Sequence, residues 1–332
     1  MRIQIYCRHF SPAIGGMEKL LETLAKEFTS AGHAVCVVTE TPGDGCYPYP
    51  VYRNPTFRQY LRIARSNDVI LSAPLSLRRL PAQLLARKPI AFAHPDKFGG
   101  RGIAMIPSFI KRSISRIYCN IVPSLYMAKY FSKSIVIYNP YDNTQFFPPI
   151  VSKRRKDILF VGRLVEGKGC ALLLSAFASI RNELQGANIT IVGEGPQLND
   201  LQILSRDLNI EDRVKFCGPV VGTDLAEIVQ SHAVMAVPTI TDEPFGIVAL
   251  EGLACECQMV VARSGGLPEA VGHFAYIFEK GSVAELAEYL RRAVLKKYSV
   301  RERYELREYL QRFKPASIAE SYIGVLADIG RR

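Results

Sequence analysis

Ile158-Leu159-Phe160-Val161-Gly162-Arg163-Leu164-Val165-Glu166-Gly167-Lys168-Gly169-Cys170 begins the second half of a 332-residue chain. Ile158–Val161 is an apolar run of strand length. Gly162 and Gly167 to Gly169 make a loop, and Cys170–Leu184 continues with helical spacing. The same order stands at the start of the chain. Arg2–Cys7 reads as a strand and Gly15-Gly16 as a turn; apolar residues at 17, 20, 21, 24, 25 and 28 then fit one helical face, stopped by Gly32. Ala34–Thr39 is the next buried strand. Strand, glycine turn, helix, strand is a βαβ unit, which makes the sheet parallel. A pattern that restarts in this way predicts an α/β protein of two doubly wound, Rossmann-like parallel-sheet domains facing a cleft.

Between the halves, Phe146-Phe147-Pro148-Pro149 runs into Ser152-Lys153-Arg154-Arg155-Lys156, a proline pair followed by a charge run, and this is the expected linker. The expected domains are therefore 1–149 and 150–314. Ile189–Val192, closed by Gly193 and Gly195, and Val214–Cys217, Val234–Val237 and Met259–Ala262 supply short strands to the second. The amphipathic segment around Pro315–Ile329 has no place in that sheet.

A chain of 332 residues suits two domains. No apolar run reaches the roughly 18–20 residues that span a bilayer, and the N-terminus reads as a strand rather than a signal peptide. The cysteines lie at 7, 36, 46, 119, 170, 217, 255 and 257. Only Cys255 and Cys257 are close, and one intervening residue is not a structural zinc spacing. Reduced thiols in a cytoplasmic protein, with no metal site, are the expectation.

Charge is unevenly placed. Residues 1–150 hold 19 Lys+Arg against 8 Asp+Glu, whereas 151–332 hold 23 against 23, so the whole net charge of +11 falls in the first half. Arg53 to Lys88 carries eight basic residues and the single acid Asp68; Lys97 to Lys133 carries seven basic residues and no acid. Such a field suits an anionic partner, or else is a solvated basic face. Nucleic acid is not expected, because zinc-finger, RNP and helix-turn-helix signatures are missing. An anionic membrane surface fits better. Ile106, Ile110, Ile114, Ile117 and Ile121 follow helical spacing from a Pro107 start, with Lys111, Arg112 and Arg116 off the stripe. The alternative is that Ile117–Pro123 is a buried strand and the stripe packs inward.

Neither half contains G-x-G-x-x-G or a Walker A sequence, so hydride transfer and P-loop phosphoryl chemistry lack their usual signatures. Gly15-Gly16 stands between a strand and a helix, where backbone can approach a phosphate. Arg163 and Lys168 flank a glycine loop at the carboxyl end of a strand and could clamp a diphosphate. Pro238-Thr239-Ile240-Thr241-Asp242-Glu243-Pro244-Phe245-Gly246-Ile247-Val248-Ala249-Leu250-Glu251 places Glu243 in a loop and starts a helix near Phe245 or Gly246. The first amides of that helix suit phosphate oxygens. Glu243 in the loop and Glu251 on the helix can bind two separated hydroxyl groups, such as those of a sugar and a ribose.

Glu243 and Glu251, in an E-P-F-G-x-x-x-x-E frame, resemble the E-x7-E signature of retaining GT-B glycosyltransferases of the glycogen-synthase/mannosyltransferase-like family 4. The resemblance extends through Gly15-Gly16-Met17-Glu18, Val161-Gly162-Arg163-Leu164, Gly167-Lys168-Gly169, Val192-Gly193-Glu194-Gly195-Pro196, Val214-Lys215-Phe216-Cys217-Gly218 and Ser264-Gly265-Gly266-Leu267-Pro268-Glu269. It implies a GT-B fold with the donor nucleotide held mainly by the second domain, and a C-terminal helix, residues 315–332, crossing back to the first.

It further implies that Arg163 and Lys168 bind the diphosphate, Glu251 the ribose, and Glu243 the donor sugar hydroxyls. The amides of Phe245, Gly246, Ile247 and Val248 would lie around sugar and phosphates, Gly16 in a loop that closes on the donor, and Cys217, Gly218 and Val220 at the base. His94, in Ala93-His94-Pro95-Asp96, is similar to the family's first-domain histidine near the anomeric centre.

The implied reaction is metal-independent transfer of a hexose, with retention, from a nucleoside-diphosphate sugar, UDP preferred, and without a further cofactor. The acceptor expected from the basic first half is a lipid-linked or anionic glycan at the inner face of the cytoplasmic membrane, as in cell-surface polysaccharide or lipopolysaccharide synthesis. Two rivals stand beside this reading. One is a nucleotide-sugar epimerase or dehydrogenase; the other is an inactive basic scaffold or nucleic-acid binder of the same fold.

Overall fold

The computed structural model describes residues 1–12, 16–97, 105–149, 155–184 and 186–331. The chain divides into two units, Met1–Pro140 together with the segment from Pro315, and Tyr141–Lys314. The division falls at Pro140/Tyr141, ahead of the proline pair at 148–149, so Phe146 to Pro149 belong to the second unit. Of the expected linker, residues 150–154 lie outside the described residues.

The first unit carries β1 (Arg2–Cys7), α1 (Gly16–Ser30), β2 (Ala34–Thr39), β3 (Val51–Arg53), α2 (Phe57–Ser66), β4 (Val69–Ala73), α3 (Leu80–Ala86), β5 (Ile90–Ala93), α4 (Met105–Ser115), β6 (Cys119–Val122), α5 (Leu125–Ala128) and β7 (Ser134–Val136). Among the described residues its sheet has the order β3-β2-β1-β4-β5-β6-β7 and is parallel throughout. The strands read as continuous apolar runs because helices cover both faces. Ile3, Ile5, Val37 and Leu71 meet Leu21, Leu24 and Phe28 of α1 on one face. Tyr6, Val38, Ile70 and Phe92 meet Tyr60, Ala64 and Leu80 of α2 and α3 on the other. Helix α2 is started by Thr56, whose hydroxyl accepts from the Gln59 amide while the Gln59 side chain accepts from the Thr56 amide.

The isoleucine stripe is not one helical face. Helix α4 ends at Ser115, and the Asn120 side-chain amide captures the carbonyls of Ser115, Tyr118 and Ser132 at 2.7, 3.1 and 2.8 Å. Parallel pairing of β6 with β5 then takes Ile121 into the sheet, 1% exposed, while Ile117 stays 69% exposed in the connecting turn.

The second unit carries β8 (Arg155–Val161), α6 (Cys170–Ile180), β9 (Ile189–Val192), α7 (Leu198–Asp207), β10 (Val214–Phe216), α8 (Gly222–Ser231), β11 (His232–Val237), α9 (Ile247–Ala254), β12 (Gln258–Ala262), α10 (Leu267–Val271), β13 (Ala275–Phe278), α11 (Val283–Leu295) and α12 (Val300–Gln311). Its sheet runs β10-β9-β8-β11-β12-β13, again parallel. Helix α6 stops at Ile180, before Leu184, and Arg213 donates to the Arg181 and Leu184 carbonyls just beyond it at 2.8 and 2.6 Å. Cys170, Cys255 and Cys257 are buried in this unit, Cys7 and Cys36 in the first.

Helix α13 (Pro315–Arg331) returns to the first unit. Its Ile318, Ala319, Tyr322 and Leu326 share a core with α1 and β4. Two parallel-sheet α/β units of this kind are the GT-B fold class. Among the described residues no helix is long and apolar enough to cross a membrane.

Candidate functional site

In the second unit the strand order reverses between β8 and β11. Loops at the carboxyl ends of such a pair spread apart and leave room for a ligand. Gly162–Gly169 follows β8, and Pro238–Gly246 follows β11. The two are tied together at Gly167, whose carbonyl accepts from the Ile240 and Thr241 amides at 2.9 and 3.2 Å and from the Thr239 hydroxyl at 2.7 Å. Gly169 sits at φ +70, and a Cβ there would lie 2.0 Å from the Pro238 oxygen, so only glycine permits the approach.

A third loop fixes Glu243 from behind. Gly266 donates to the Glu243 carbonyl at 2.7 Å, and the Ser264 hydroxyl donates to the Thr241 carbonyl at 2.6 Å. The Lys168 ammonium then forms an ion pair with the Glu243 carboxylate, the two side chains being 33% and 16% exposed. Arg163, on the same loop as Lys168, is exposed and makes no ion pair among the described residues. One cation therefore remains uncompensated beside a neutralised pair.

Gly246, at φ +114, precedes α9 and leaves its start without a side-chain cap. The amides of Ile247 and Val248 are the positive end of that helix. The Phe245 side chain points elsewhere: it is 1% exposed and packs 5.9 Å from the Phe313 ring, so its contribution to the loop is backbone alone. Glu251 lies on α9, partly buried. On the other side, Gly193 bridges two loops, donating to the Gly218 carbonyl at 2.8 Å while its Cα approaches the Gly162 carbonyl too closely for any Cβ. Cys217-Gly218 thus abuts the Arg163 loop, and Val220 lies ahead of α8. The second-unit candidates share one carboxyl-end rim: two cations, two carboxylates and a row of amides can hold an anion and, beside it, hydroxyl groups.

Thr239, Thr241, Ser264 and Gly193 were not among the sequence candidates. Their hydrogen bonds to backbone set the spacing of the loops that carry the charged groups. The signal for them was their position one to four residues beyond a strand end.

In the first unit, Gly16 opens α1, and Gly15 lies outside the described residues. His94 follows β5 and is only 2% exposed. Its ring stacks on Phe131 at 4.2 Å, and Nε2 is 2.9 Å from Asn120 Oδ1. Because the Asn120 amide nitrogen serves three carbonyls, its oxygen faces the imidazole, which fixes His94 as the Nε2–H tautomer. Burial pulls its pKa down to about 4, against a smaller upward effect of the Asn120 hydrogen bond. His94 is therefore a neutral, oriented ring at physiological pH.

Arg112 and Arg116 are exposed and Lys111 is partly so. Around them Phe109 is 72% and Ile110 42% exposed. Among the described residues no three His, Cys, Asp or Glu side chains converge as metal ligands would.

Comparison with known proteins bears on both units. The family model described as "Glycosyl transferases group 1" matches residues 142–313. An uncharacterized glycosyltransferase of Methanocaldococcus jannaschii is 39% identical over 37% of this chain, a match spanning 31% of that relative's length. The GDP-mannose-dependent alpha-(1-6)-phosphatidylinositol monomannoside mannosyltransferase of Mycobacterium tuberculosis is 27% identical over 82% of this chain and 83% of its own. Anabaena Alr3699/HepE, solved in complex with UDP, superposes with a TM-score of 0.83 at 20% identity, covering 99% of this chain and 100% of that one.

Proposed function

The chain belongs to the glycosyl transferases group 1 family, and from that premise we propose that it moves a hexosyl unit from a nucleoside-diphosphate sugar to an acceptor hydroxyl, with retention at the anomeric carbon. UDP is the preferred nucleotide, and the acceptor is a lipid-linked or otherwise anionic glycan at the cytoplasmic face of a membrane. The observation that carries this reading is the Lys168–Glu243 pair, held at the reversal point of the second sheet beside Arg163 and the uncapped start of α9.

In this reaction the acceptor oxygen bonds to the anomeric carbon as the bond from that carbon to the diphosphate oxygen breaks, and the electron pair leaves with the diphosphate. The hydroxyl proton ends on the released diphosphate or in water. Arg163, Lys168 and the Ile247 and Val248 amides stabilise the negative charge that develops on the leaving group, and need no metal to do so. Glu243 orients the sugar through its hydroxyls, Glu251 takes the ribose, and backbone of Cys217, Gly218 and Val220 borders the base. From the first unit, Gly16 is assigned to donor binding, and His94 serves the reacting centre as an uncharged donor or acceptor. Lys111, Arg112 and Arg116, with Phe109 and Ile110 beside them, form the membrane-facing patch.

The test is a thermal-shift panel of UDP, GDP, ADP and their sugar conjugates, without added metal, on the wild type and Glu251→Ala. A ligand at about a hundred times its dissociation constant adds roughly 2.7 kcal/mol of stability. One base is expected to raise the wild-type midpoint and to raise the variant's much less. The relative from Mycobacterium tuberculosis makes GDP the key comparison for UDP. No shift with any nucleotide would overturn the donor assignment and favour the inactive scaffold.

A further inference from the structure

Apart from the loops at the sheet's carboxyl edge, the second unit holds a cavity of about 470 Å³, within the ~300–1,000 Å³ range of small-molecule sites. Its apolar wall presents Phe147, Pro148 and Pro149, with Phe146, Leu306 and Leu310 buried behind them. Its polar wall is Glu256, Arg307 and Lys314.

The polar wall is cationic in sum. Glu256 is held by Arg303 at 3.5 Å and Arg307 at 3.6 Å, so one carboxylate serves two guanidinium groups. Lys314 makes no ion pair among the described residues. Glu256 also occupies an unfavourable position for its type. Its φ is +57, a left-handed conformation that costs a residue with a Cβ roughly 1–2 kcal/mol, and its carboxylate is nevertheless buried, 7% exposed. Glycine or asparagine would end α9 there at lower cost. The glutamate holds Arg307 by one end at the cavity wall, while its side chain stays 63% exposed to an incoming ligand.

An excess of positive charge beside an apolar wall selects a ligand that is both anionic and apolar. Inorganic phosphate would leave Phe147 and the proline pair uncovered, and a neutral hydrocarbon would leave Lys314 unanswered. We infer that this cavity is a second ligand site, taking an organic anion with one phosphate or carboxylate head group on an apolar body. Leu253 and Ala254 place it against the carboxyl end of α9, about 10 Å along the helix from the amides at its start. Tyr141 and Lys314, the first and last residues of the second unit, both line it.

The experiment is calorimetric titration of the full chain, saturated with UDP, with 1-naphthyl phosphate as the probe. One equivalent is expected to bind, and Arg307→Ala and Lys314→Ala are each expected to weaken it about tenfold, the scale of one charge-assisted contact. 1-Naphthol and inorganic phosphate are expected to bind far more weakly than the probe. The two substitutions lie at exposed or half-exposed positions on different segments, and melting temperatures report whether either disturbs the fold. Failure to bind, displacement by UDP, or unchanged affinity in both variants would overturn the assignment. Hexyl phosphate and phosphatidylcholine vesicles carrying phosphatidic acid are the competitors. Displacement by the first alone marks a free metabolite and by the vesicles a lipid head group, both within the class; displacement by neither also overturns it. Binding is read without turnover, and loss of affinity in Arg307→Ala and Lys314→Ala with none in Glu251→Ala separates this site from the donor site whether or not UDP binds.

Discussion

Lys168 and Glu243 neutralise each other across the gap between two loops, although the proposed reaction assigns one to the diphosphate and the other to the sugar. This sharing has an unusual consequence for Glu243→Gln. With the carboxylate gone, Lys168 offers its whole charge to the nucleotide, and UDP is expected to bind several-fold tighter. Transfer is expected to fall by about 10²–10³, the scale of losing one preorganised group at the reacting centre. Titration calorimetry and turnover measured together check the opposite signs; weakening of both would remove the division of labour. His94 carries a second residue-level expectation. Its folded pKa of about 4 lies below the ordinary 6.5, so the unfolded chain binds the proton first. The stabilisation from keeping this ring neutral is complete above pH 6.5 and is lost as pH falls from there to 4, by on the order of 3 kcal/mol. Denaturant midpoints of wild type and His94→Asn, compared across that window, should differ in slope; parallel profiles would exclude it.

At the scale of elements, the donor loops are held by glycines against one another's backbones. A Cβ on Gly265 would stand 2.0 Å from the Glu243 oxygen at φ +54. Gly265→Ala is expected to cost upward of about 2 kcal/mol and to reduce UDP binding in the protein that still folds. Thermal unfolding and the thermal-shift response together measure this. These glycines also mark how far the sequence could be read. Gly162, Gly167 to Gly169 and Gly193 announced loops after strands, and the strand–loop–helix rhythm announced both sheets. That Gly169 is needed because Pro238 passes beside it is a fact of two segments far apart in the chain, invisible to local pattern. The same limit applied to the isoleucine stripe. Five residues at helical spacing read as one face, but pairing of β6 with β5 took Ile121 and the Asn120 amide closed the helix at Ser115. In the candidate site, Arg163, Lys168 and Glu243 stood out as charged residues in loops after strands, and the roles expected of them came from the family resemblance rather than from spacing. Their supports, Thr239, Thr241 and Ser264, were hidden because a hydroxyl at a turn usually serves only the turn.

For the whole molecule, charge and connectivity set the expectations. The positive balance of residues 1–150, with Phe109 and Ile117 exposed beside Arg112 and Arg116, predicts sedimentation with anionic vesicles at low ionic strength. Raising salt should release the protein as screening shortens to about 8 Å at 0.15 M; no binding to anionic vesicles at low salt would remove the membrane-facing assignment. Connectivity enters through α13. Ile318, Ala319, Tyr322 and Leu326 complete the core that begins with β1, and the intervening second unit is one unbroken stretch, Tyr141–Lys314. On a ribosome adding about 5–20 residues per second, the early segment therefore waits on the order of ten seconds or more for the helix that closes it. The second unit can finish first, and until α13 emerges the core of β1, β4 and α1 lacks the share supplied by Ile318, Ala319, Tyr322 and Leu326, which leaves an apolar face for a chaperone to hold.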